Sequence, residues 1–202
     1  MNKELDTLNV DADPIKQFHI WYEEAEHAGI ALPNAMTLAT ATRDGVPSAR
    51  IVLLKKVDEK GFVFFTNYNS RKSIELFRNP HAALVMHWQR LERQVRIEGV
   101  IEKVSKGESD EYFHLRLRES QIGAIVSPQS EVIENREALD RKAKELLHIY
   151  EGKTIPRPSY WGGYRVIPTR IEFWQGREAR LHDRIVYERA QSTAWKINRL
   201  AP

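Results

Sequence analysis

The feature that most constrains the fold is a succession of short strand-like runs joined by turns instead of helices. From about residue 35, the runs MTLATAT, ARIVLLKKV and FVFFT are separated by turn signals at Asp44-Gly45 and Glu59-Lys60-Gly61, which predicts a β-meander. Five further runs follow: HAALVMHW, RQVRIEGVIEKV, TRIEFWQG, DRIVYERA and AWKINRL. Regular strand-helix alternation is missing, and no GxGxxG follows the first strand. The pattern favours a mainly β fold, namely a closed or partly closed barrel with peripheral helices. It disfavours a dinucleotide-binding sheet.

Helices are predicted at four places around these strands. Asp13-Pro14 has the signature of an N-cap followed by proline at the first helical position. Asn69-Ser70 should cap a short helix, and Ser105 with Glu108 has the spacing of a capping box. A longer helix with a polar face is expected over residues 134–150.

The size of the chain fits one globular domain. Its 202 residues can bury one core, and we expect residues 13–202 to form a single domain after a flexible segment over residues 1–12. No apolar run approaches the roughly 20 residues of a membrane-spanning helix, and the polar N-terminus is unlike a secretory signal. We therefore expect a cytoplasmic protein that has no membrane partner.

The side-chain inventory excludes several kinds of chemistry. Because the sequence has no cysteine, it has no disulfide, thiolate metal site or cysteine nucleophile. Its histidines lack the spacing of a zinc or iron site, so no metal is expected. The 31 basic and 28 acidic residues are interspersed, which disfavours a nucleic-acid partner. Local basic clusters that bind small phosphate esters fit this pattern better.

Two pairs of cations are candidates for phosphate binding. Arg50 and Lys55 flank an apolar run, and their opposite parity should turn them to opposite faces of a strand unless a bulge intervenes. Arg71 and Lys72 fall in the first turn of a helix, where cations oppose the helix dipole and a bound phosphate would resolve the conflict. Solvated surface charges are the alternative interpretation of both pairs.

A third candidate is the series Tyr112, Arg116 and Ser120. Steps of four residues place the three side chains on one helix face, provided that the helix continues through Arg118. A phenol, a guanidinium and a hydroxyl can together bind a phosphate. A solvated polar helix face would have the same spacing.

The fourth candidate is the segment from Arg180 to Arg184. In an extended chain Arg180, His182 and Arg184 share one face and Leu181 points the other way. Two guanidiniums would repel a protonated imidazole, so the arrangement favours a nearby anion. Trp174, a short distance before this segment, is the tryptophan that we expect to stack on a flat ligand.

Taken together and in order, these motifs resemble the pyridoxine/pyridoxamine 5'-phosphate oxidase family. The resemblance extends from about Asp13 to Pro202 through RIVLLK, FTN…SRK, LERQVR, YFHLR…SQIGAIVSPQS, PSYWGGYRV, IEFWQG, RLHDR and WKINRLAP. It implies a split β-barrel domain over residues 13–202 and a homodimer with FMN at the subunit interface. It also implies oxidation of pyridoxine or pyridoxamine 5'-phosphate by O2 to pyridoxal 5'-phosphate, with H2O2 and, from the amine, ammonia.

The resemblance implies roles for individual residues. Those expected to hold FMN are Arg50, Ile51, Val52, Leu53, Leu54, Lys55, Phe65, Thr66, Arg71, Lys72, Gln94, Gln129, Ser130, Trp174 and Arg184. Those expected to hold the substrate are Lys55, Tyr112, Arg116, Ser120, Arg180, Leu181 and His182. The expected catalytic residues are Arg180, which would clamp the substrate ring, and His182, which would form hydrogen bonds with the ring substituents.

Two features depart from the family pattern, and two alternatives stay open. Phe65 stands where the family commonly has tyrosine, so a hydroxyl contact is lost. The residues before Asp13 contain neither Arg nor Tyr, whereas the family commonly has an Arg-x-x-Tyr segment that covers the substrate, so lid closure should differ.

The alternatives are a related flavin oxidase acting on another ring, such as a phenazine precursor, and a non-catalytic carrier of FMN or pyridoxal phosphate. The retained Tyr112, Arg116 and Ser120 favour the vitamin B6 substrate.

Overall fold

An antiparallel sheet of nine strands dominates the computed structural model, which describes residues 5–189 and 194–202. The strands are β1 Ala35–Ala41, β2 Pro47–Leu53, β3 Lys56–Asp58, β4 Gly61–Asn67, β5 His81–Trp88, β6 Arg93–Lys103, β7 Trp161–Gln175, β8 Asp183–Arg189 and β9 Trp195–Arg199. Their order is β2-β1-β5-β6-β7-β4-β3, and β8 joins β7 to β9. The α-helices are α1 Pro14–His27, α2 Arg71–Arg78, α3 Lys106–Leu115, α4 Arg118–Val126 and α5 Arg136–Ile149. The predicted mainly β fold with peripheral helices is confirmed.

The main core lies between the curved sheet and α1. Asp13 caps α1 by accepting a hydrogen bond from the Ile15 N–H at 2.9 Å, as predicted. The helix buries Phe18 edge-on against Phe62, with ring centroids 4.9 Å apart, and Trp21 packs against the sheet in the same way. This apolar face closes one side of the barrel.

A smaller apolar cluster lies under α3, α4 and α5. Phe113, Ile122 and Trp161 are its buried members, and the ring centroids of Phe113 and Trp161 are 5.3 Å apart. The predicted capping box is confirmed, because Ser105 and Glu108 exchange hydrogen bonds at the start of α3. Because Trp161 begins β7, this cluster attaches the helical layer to the sheet.

The predicted β-meander is interrupted in its second run. The run ARIVLLKKV is not one strand, because β2 ends at Leu53 and β3 begins at Lys56. At the break Leu54 turns inward and is buried, and the Lys55 N–H donates to the Val63 carbonyl at 2.8 Å. Strand β2 therefore pairs with β1, β3 pairs with β4, and β4 pairs with β7.

The condition that one helix continue from Tyr112 through Arg118 is not met. Helix α3 ends at Leu115, and Arg116 is extended, with φ −75° and ψ 152°. A new helix, α4, then begins at Arg118. Ser70 occupies the N-cap of α2 as expected, but its hydroxyl donates to the Asn67 carbonyl at 2.7 Å instead of capping the helix.

The N-terminal segment contacts β8 and β9 at Leu5 and Asp6. Leu5 is buried, its N–H lies 3.3 Å from Asp183 Oδ2, and the Arg199 guanidinium pairs with Asp6 at 2.8 Å. Residues 1–4 lie outside the described part, so the flexible segment over residues 1–12 and the altered lid stay predictions. Within residues 5–189 and 194–202, no helix has both the length and the apolar character needed to cross a bilayer. A cytoplasmic location likewise stays a prediction.

Candidate active site

A cleft of about 870 Å³ opens where β2 and β4 meet the helical layer. Most of the residues predicted to bind a ligand line it: Arg50, Ile51, Val52, Leu53, Lys55, Phe65, Thr66, Arg71, Lys72, Tyr112, Arg116, Ser120, Gln129 and Ser130. Leu54 is the member of its run that does not, because its side chain is buried in the core. The structure thus brings three of the four sequence candidates to one place.

The lining of the cleft is basic. Five of its described residues carry a cation (Arg50, Lys55, Arg71, Lys72 and Arg116), and none of its described residues is acidic. The expectation that Arg50 and Lys55 face opposite sides is wrong, since both border this cleft. Their parity does not decide their direction, because the strand ends at Leu53 and Lys55 lies after the break. The concentration of like charge makes the cleft suitable for anionic groups.

Lys72 is the most deeply buried of these cations. Its ammonium donates to Gln129 Oε1 at 2.8 Å, Thr66 Oγ1 at 3.2 Å and Ser70 Oγ at 3.3 Å, all of them neutral oxygen atoms. Burial, together with the nearby charge of Arg50, lowers the pKa of Lys72 to about 8. No ion pair described in the structure involves this lysine, so its charge lacks an anionic partner.

Arg116 is another cation of the cleft without a described ion pair. Its guanidinium lies over the Trp161 ring, 4.7 Å from the centroid, and its Nη1 is buried without a hydrogen-bond partner. Burial lowers the pKa of Arg116 below its ordinary value. A buried guanidinium nitrogen without a partner is costly, and an anion in the cleft would remove that cost.

Three aromatic rings form one wall of the cleft. Phe65 stacks on Tyr112 with ring centroids 4.0 Å apart, and Trp161 lies on the other side of Phe65 at 5.5 Å. All three rings are within about 21° of parallel. The sequence patterns singled out Trp174 as the stacking tryptophan and did not indicate Trp161. This wall suits contact with a flat ring.

The loop between α4 and α5 contributes polar atoms to the cleft. Gln129 accepts hydrogen bonds from Lys72 and Thr66, and Ser130 Oγ accepts the Arg71 N–H at 3.2 Å. Ser130 has φ 76°, in the left-handed region. The N–H groups in the first turn of α2 have no carbonyl partner within the helix. The polar loop provides an acceptor for one of them, the N–H of Arg71.

A second group of predicted residues lies outside this cleft and is termed here the strand-end cluster: Gln94, Trp174, His182 and Arg184. Gln94 is the register partner of Trp174, which is in turn the partner of Arg184. The imidazole of His182 packs on Trp174 with centroids 4.6 Å apart and accepts the Arg177 N–H at Nδ1. Arg184 forms a double ion pair with buried Glu172, at 2.9 and 3.1 Å, and this carboxylate raises the pKa of Arg184.

The predicted extended segment from Arg180 to Arg184 is wrong in its first half. Arg180 ends a short 3-10 turn over Glu178–Arg180 and has φ 62°, while β8 begins only at Asp183. The alternation that would align Arg180 with His182 therefore does not apply. Leu181 is 69% exposed. Among the described residues, no group of three or more His, Asp or Glu side chains is arranged to hold a metal ion.

The fold and the cleft define a class, the split β-barrels that carry a basic, aromatic-walled binding cleft. The profile of the family described as pyridoxamine 5'-phosphate oxidase matches residues 22–150, and that of the pyridoxine 5'-phosphate oxidase C-terminal dimerisation region matches residues 161–202. The chain belongs to the pyridoxamine 5'-phosphate oxidase family. The recognition made from the motifs is thereby confirmed.

Individual relatives agree with this assignment. Proteins named pyridoxine/pyridoxamine 5'-phosphate oxidase from Trichormus variabilis and Nostoc punctiforme are 58% and 60% identical over 198 residues, covering 98% of this chain and 92% of theirs. The structure of PhzG from Burkholderia lata in complex with tetrahydrophenazine-1-carboxylic acid superposes with a TM-score of 0.93 at 33% identity, covering 99% of this chain and 98% of that one. The split-barrel prediction is confirmed by this similarity.

Proposed function

We propose that the protein is an FMN-dependent oxidase that converts pyridoxine 5'-phosphate or pyridoxamine 5'-phosphate with O2 to pyridoxal 5'-phosphate. The second product is H2O2, and the amine substrate also releases ammonia. The observation that carries the proposal is a cleft with cations that lack anionic partners, in a chain of this oxidase family. Because cofactor and substrate each carry a phosphate, the cleft needs two separate groups of cations.

The residues around Lys72 fit the phosphate of FMN. Lys72 is buried among neutral acceptors, so a phosphate would supply the anionic partner that its ammonium lacks. Arg50 and Arg71 lie beside it on the lining of the cleft. FMN, when bound, supplies the ring that accepts a hydride and passes the electrons to O2. The other residues of this chain proposed to contact FMN within the cleft are Ile51, Val52, Leu53, Lys55, Phe65, Thr66, Gln129 and Ser130.

A second group fits the phosphate of the substrate. Arg116 has a guanidinium nitrogen without a partner, and Tyr112 and Ser120 offer hydroxyls on the same lining. Lys55 contributes the remaining charge, with its ammonium 5.9 Å from the centre of the Tyr112 ring. Charge-assisted hydrogen bonds of this kind contribute about 1.5–3 kcal/mol each, which would make the phosphate necessary for efficient turnover.

The complete site is proposed to need two copies of the chain. The strand-end cluster of Gln94, Trp174, His182 and Arg184 does not line the cleft of its own chain. The similarity of residues 161–202 to a dimerisation region supports a homodimer. In a two-fold dimer the contact is reciprocal, so the strand-end cluster of each protomer can complete the cleft of the other.

Within that dimer, Arg180 and His182 are proposed to orient the substrate ring, with Leu181 as an apolar neighbour. Because a guanidinium does not serve as a base in proteins, the role proposed for Arg180 is that of a clamp. His182 Nδ1 accepts the Arg177 N–H at 3.1 Å, so a neutral imidazole holds its proton at Nε2. Nε2 is then a hydrogen-bond donor to a ring substituent. Such contacts affect the reaction rate mainly by orienting the substrate ring, since a small misplacement of the reacting carbon lowers the rate considerably.

The nearest alternative is an oxidase acting on a phenazine precursor, as the PhzG complex suggests. That likeness is at 33% identity, whereas the relatives named for the vitamin B6 substrates are at 58% and 60%. The phosphate group around Arg116 also favours a phosphorylated substrate. A non-catalytic carrier would bind the same ligands without turnover.

The test is aerobic incubation of the FMN-loaded protein with pyridoxamine 5'-phosphate, pyridoxine 5'-phosphate and their unphosphorylated forms. We expect pyridoxal 5'-phosphate and H2O2 in equal amounts from both phosphorylated substrates, and much lower kcat/KM without the phosphate. Ligand binding without either product would identify a carrier. Turnover of a tetrahydrophenazine carboxylate in place of the B6 substrates would identify the phenazine alternative.

A further inference from the structure

Glu75 is a buried carboxylate directly behind the basic cleft, and no sequence motif indicated a role for it. It lies on α2, one turn after Arg71, and its side chain is 5% exposed. It does not line the cleft, yet its oxygen atoms contact two residues that do. A negative charge near a phosphate site would ordinarily weaken phosphate binding, so its presence there needs a reason.

The contacts of Glu75 connect it to both arginines. Arg71 Nε donates to Oε1 at 2.8 Å, and Arg50 Nη2 lies 3.3 Å from Oε2. Oε2 also accepts the hydroxyls of Thr40 at 2.5 Å and Ser48 at 2.6 Å. Although burial alone would raise it, the hydrogen bonds from Ser48, Thr40 and Arg71 lower the pKa of Glu75 to about 2. Glu75 is thus ionised at every pH at which the protein would work.

The two hydroxyls link Glu75 to Arg50 a second time. Arg50 Nη1 donates to Thr40 Oγ1 and Nη2 donates to Ser48 Oγ, each at 2.5 Å. A hydroxyl has one proton to donate, and an ionised carboxylate can only accept. Thr40 and Ser48 therefore give their protons to Glu75 and present lone pairs to Arg50. The carboxylate sets the direction of both hydroxyls, and the hydroxyls hold both ends of the guanidinium.

We infer that Glu75 is a positioning residue that holds Arg50 and Arg71 in a fixed arrangement for the phosphate of a flavin mononucleotide. This inference rests on the proposed function and adds to it the residue that preorganises the phosphate site. Fixing two long side chains before binding removes an entropic cost that the ligand would otherwise have to meet. Lys72, which has no described bond to Glu75, keeps its charge available for the same phosphate.

A positioning role of Glu75 and a purely electrostatic role predict opposite changes in FMN binding when the carboxylate is removed. If Glu75 acted only as a negative charge, its removal would strengthen FMN binding. If it positions the arginines, its removal weakens FMN binding, and a side chain that keeps one acceptor oxygen restores part of the affinity. Riboflavin has the same ring without the phosphate, so its affinity should not change in either variant.

The experiment compares Glu75→Ala and Glu75→Gln with the unchanged protein, using quenching of flavin fluorescence on titration with FMN and with riboflavin. Glu102→Gln is the matched control, because Glu102 pairs at 3.1 Å with Arg165, a residue outside the cleft lining. We expect Glu75→Ala to raise the Kd for FMN at least tenfold, Glu75→Gln to recover part of the loss, and the Kd for riboflavin to stay the same.

Two results would overturn the inference: FMN binding by Glu75→Ala that equals or exceeds that of the unchanged protein, or a parallel loss of riboflavin and FMN, which indicates general damage to the fold. Thermal stabilisation of the apoprotein by inorganic phosphate separates this inference from the proposed function. Stabilisation that is lost in Glu75→Ala and kept in Glu102→Gln supports positioning even if the protein fails to oxidise B6 substrates. Equal stabilisation of all variants contradicts it even if oxidation is observed.

Discussion

The pH dependence of FMN binding should report the protonation state of Lys72. The pKa of this buried lysine in the free protein is about 8, lowered by burial and by Arg50 from its ordinary value of 10.5. A phosphate bound beside it would raise that pKa again, because an adjacent anion favours the ammonium form. Binding of FMN therefore takes up a proton wherever the free lysine is neutral, and FMN affinity should fall as pH rises through about 8.

The magnitude follows from that pKa. With a pKa of about 8, roughly 90% of the free protein carries the ammonium at pH 7 and roughly 10% at pH 9. The Kd for FMN should consequently rise about tenfold over this range, which is about 1.4 kcal/mol. The second ionisation of a phosphate monoester lies near pH 6, below the window, so the ligand keeps its charge.

The lowered pKa of Lys72 makes the stability of the apoprotein rise with pH, whereas FMN affinity falls. Since the pKa of Lys72 is depressed in the folded state, the unfolded chain binds more protons between pH 8 and 10.5. Stability then rises with pH across that window as the cost of a buried charge is relieved. Opposite slopes for apoprotein stability and FMN affinity would be a signature of this lysine.

The assay is FMN titration by fluorescence quenching at pH 7, 8 and 9, with riboflavin as the ligand that lacks the phosphate. Lys72→Arg is the control variant, because a guanidinium does not titrate in this range. We expect a pH-dependent Kd for FMN in the unchanged protein and a flat one in the variant. An identical slope in both, or a constant Kd in the unchanged protein, would refute the argument.

Three further predictions concern other parts of the molecule. Arg116→Ala should lower kcat/KM for pyridoxamine 5'-phosphate at least tenfold, about 1.4 kcal/mol, while the Kd for FMN stays the same in titrations. Lys72→Met and Trp174→Ala chains, each inactive alone, should recover about a quarter of normal activity when they are refolded together. Half of a statistical mixture is heterodimer, and each heterodimer has one intact site and one site that carries both substitutions. No recovery would mean that the site forms within one chain. Trp88→Ala should lower the free energy of unfolding by about 3–5 kcal/mol in urea titration, because its side chain is 1% exposed in the main core.

Much of the fold could be predicted from local signals in the sequence. The N-cap at Asp13 and the capping box at Ser105 are local hydrogen-bonding patterns, and both form as expected. The break between β2 and β3 could not be predicted in this way. It depends on Leu54 turning into the core and on a hydrogen bond between Lys55 and Val63 of a later strand, and periodicity within one run carries no information about such partners.

The candidate site shows a different limit. Tyr112, Arg116 and Ser120 do border one cleft, but a single helix face does not bring them there. Arg116 lies in the extended link between α3 and α4, so the four-residue spacing succeeded for a reason other than the one inferred. Glu75 could have been found, since it follows Arg71 at the i,i+4 spacing of a helical ion pair. Its second link, through Thr40 and Ser48, depends on strands that are distant in sequence.

The distribution of ion pairs explains why interspersed charges can still form a phosphate site. In sequence the basic and acidic residues alternate closely enough to argue against a polynucleotide surface, and in the described structure many arginines are paired with carboxylates. Arg165 alone contacts Asp58, Glu102 and Glu108, and Arg184 pairs with Glu172. Lys55, Lys72 and Arg116 are different, since no described ion pair involves any of them and all three line the same cleft. The signal for an anionic ligand is therefore the unmatched cation and not the number of cations, and that property becomes visible only when the strands and helices bring their partners into contact.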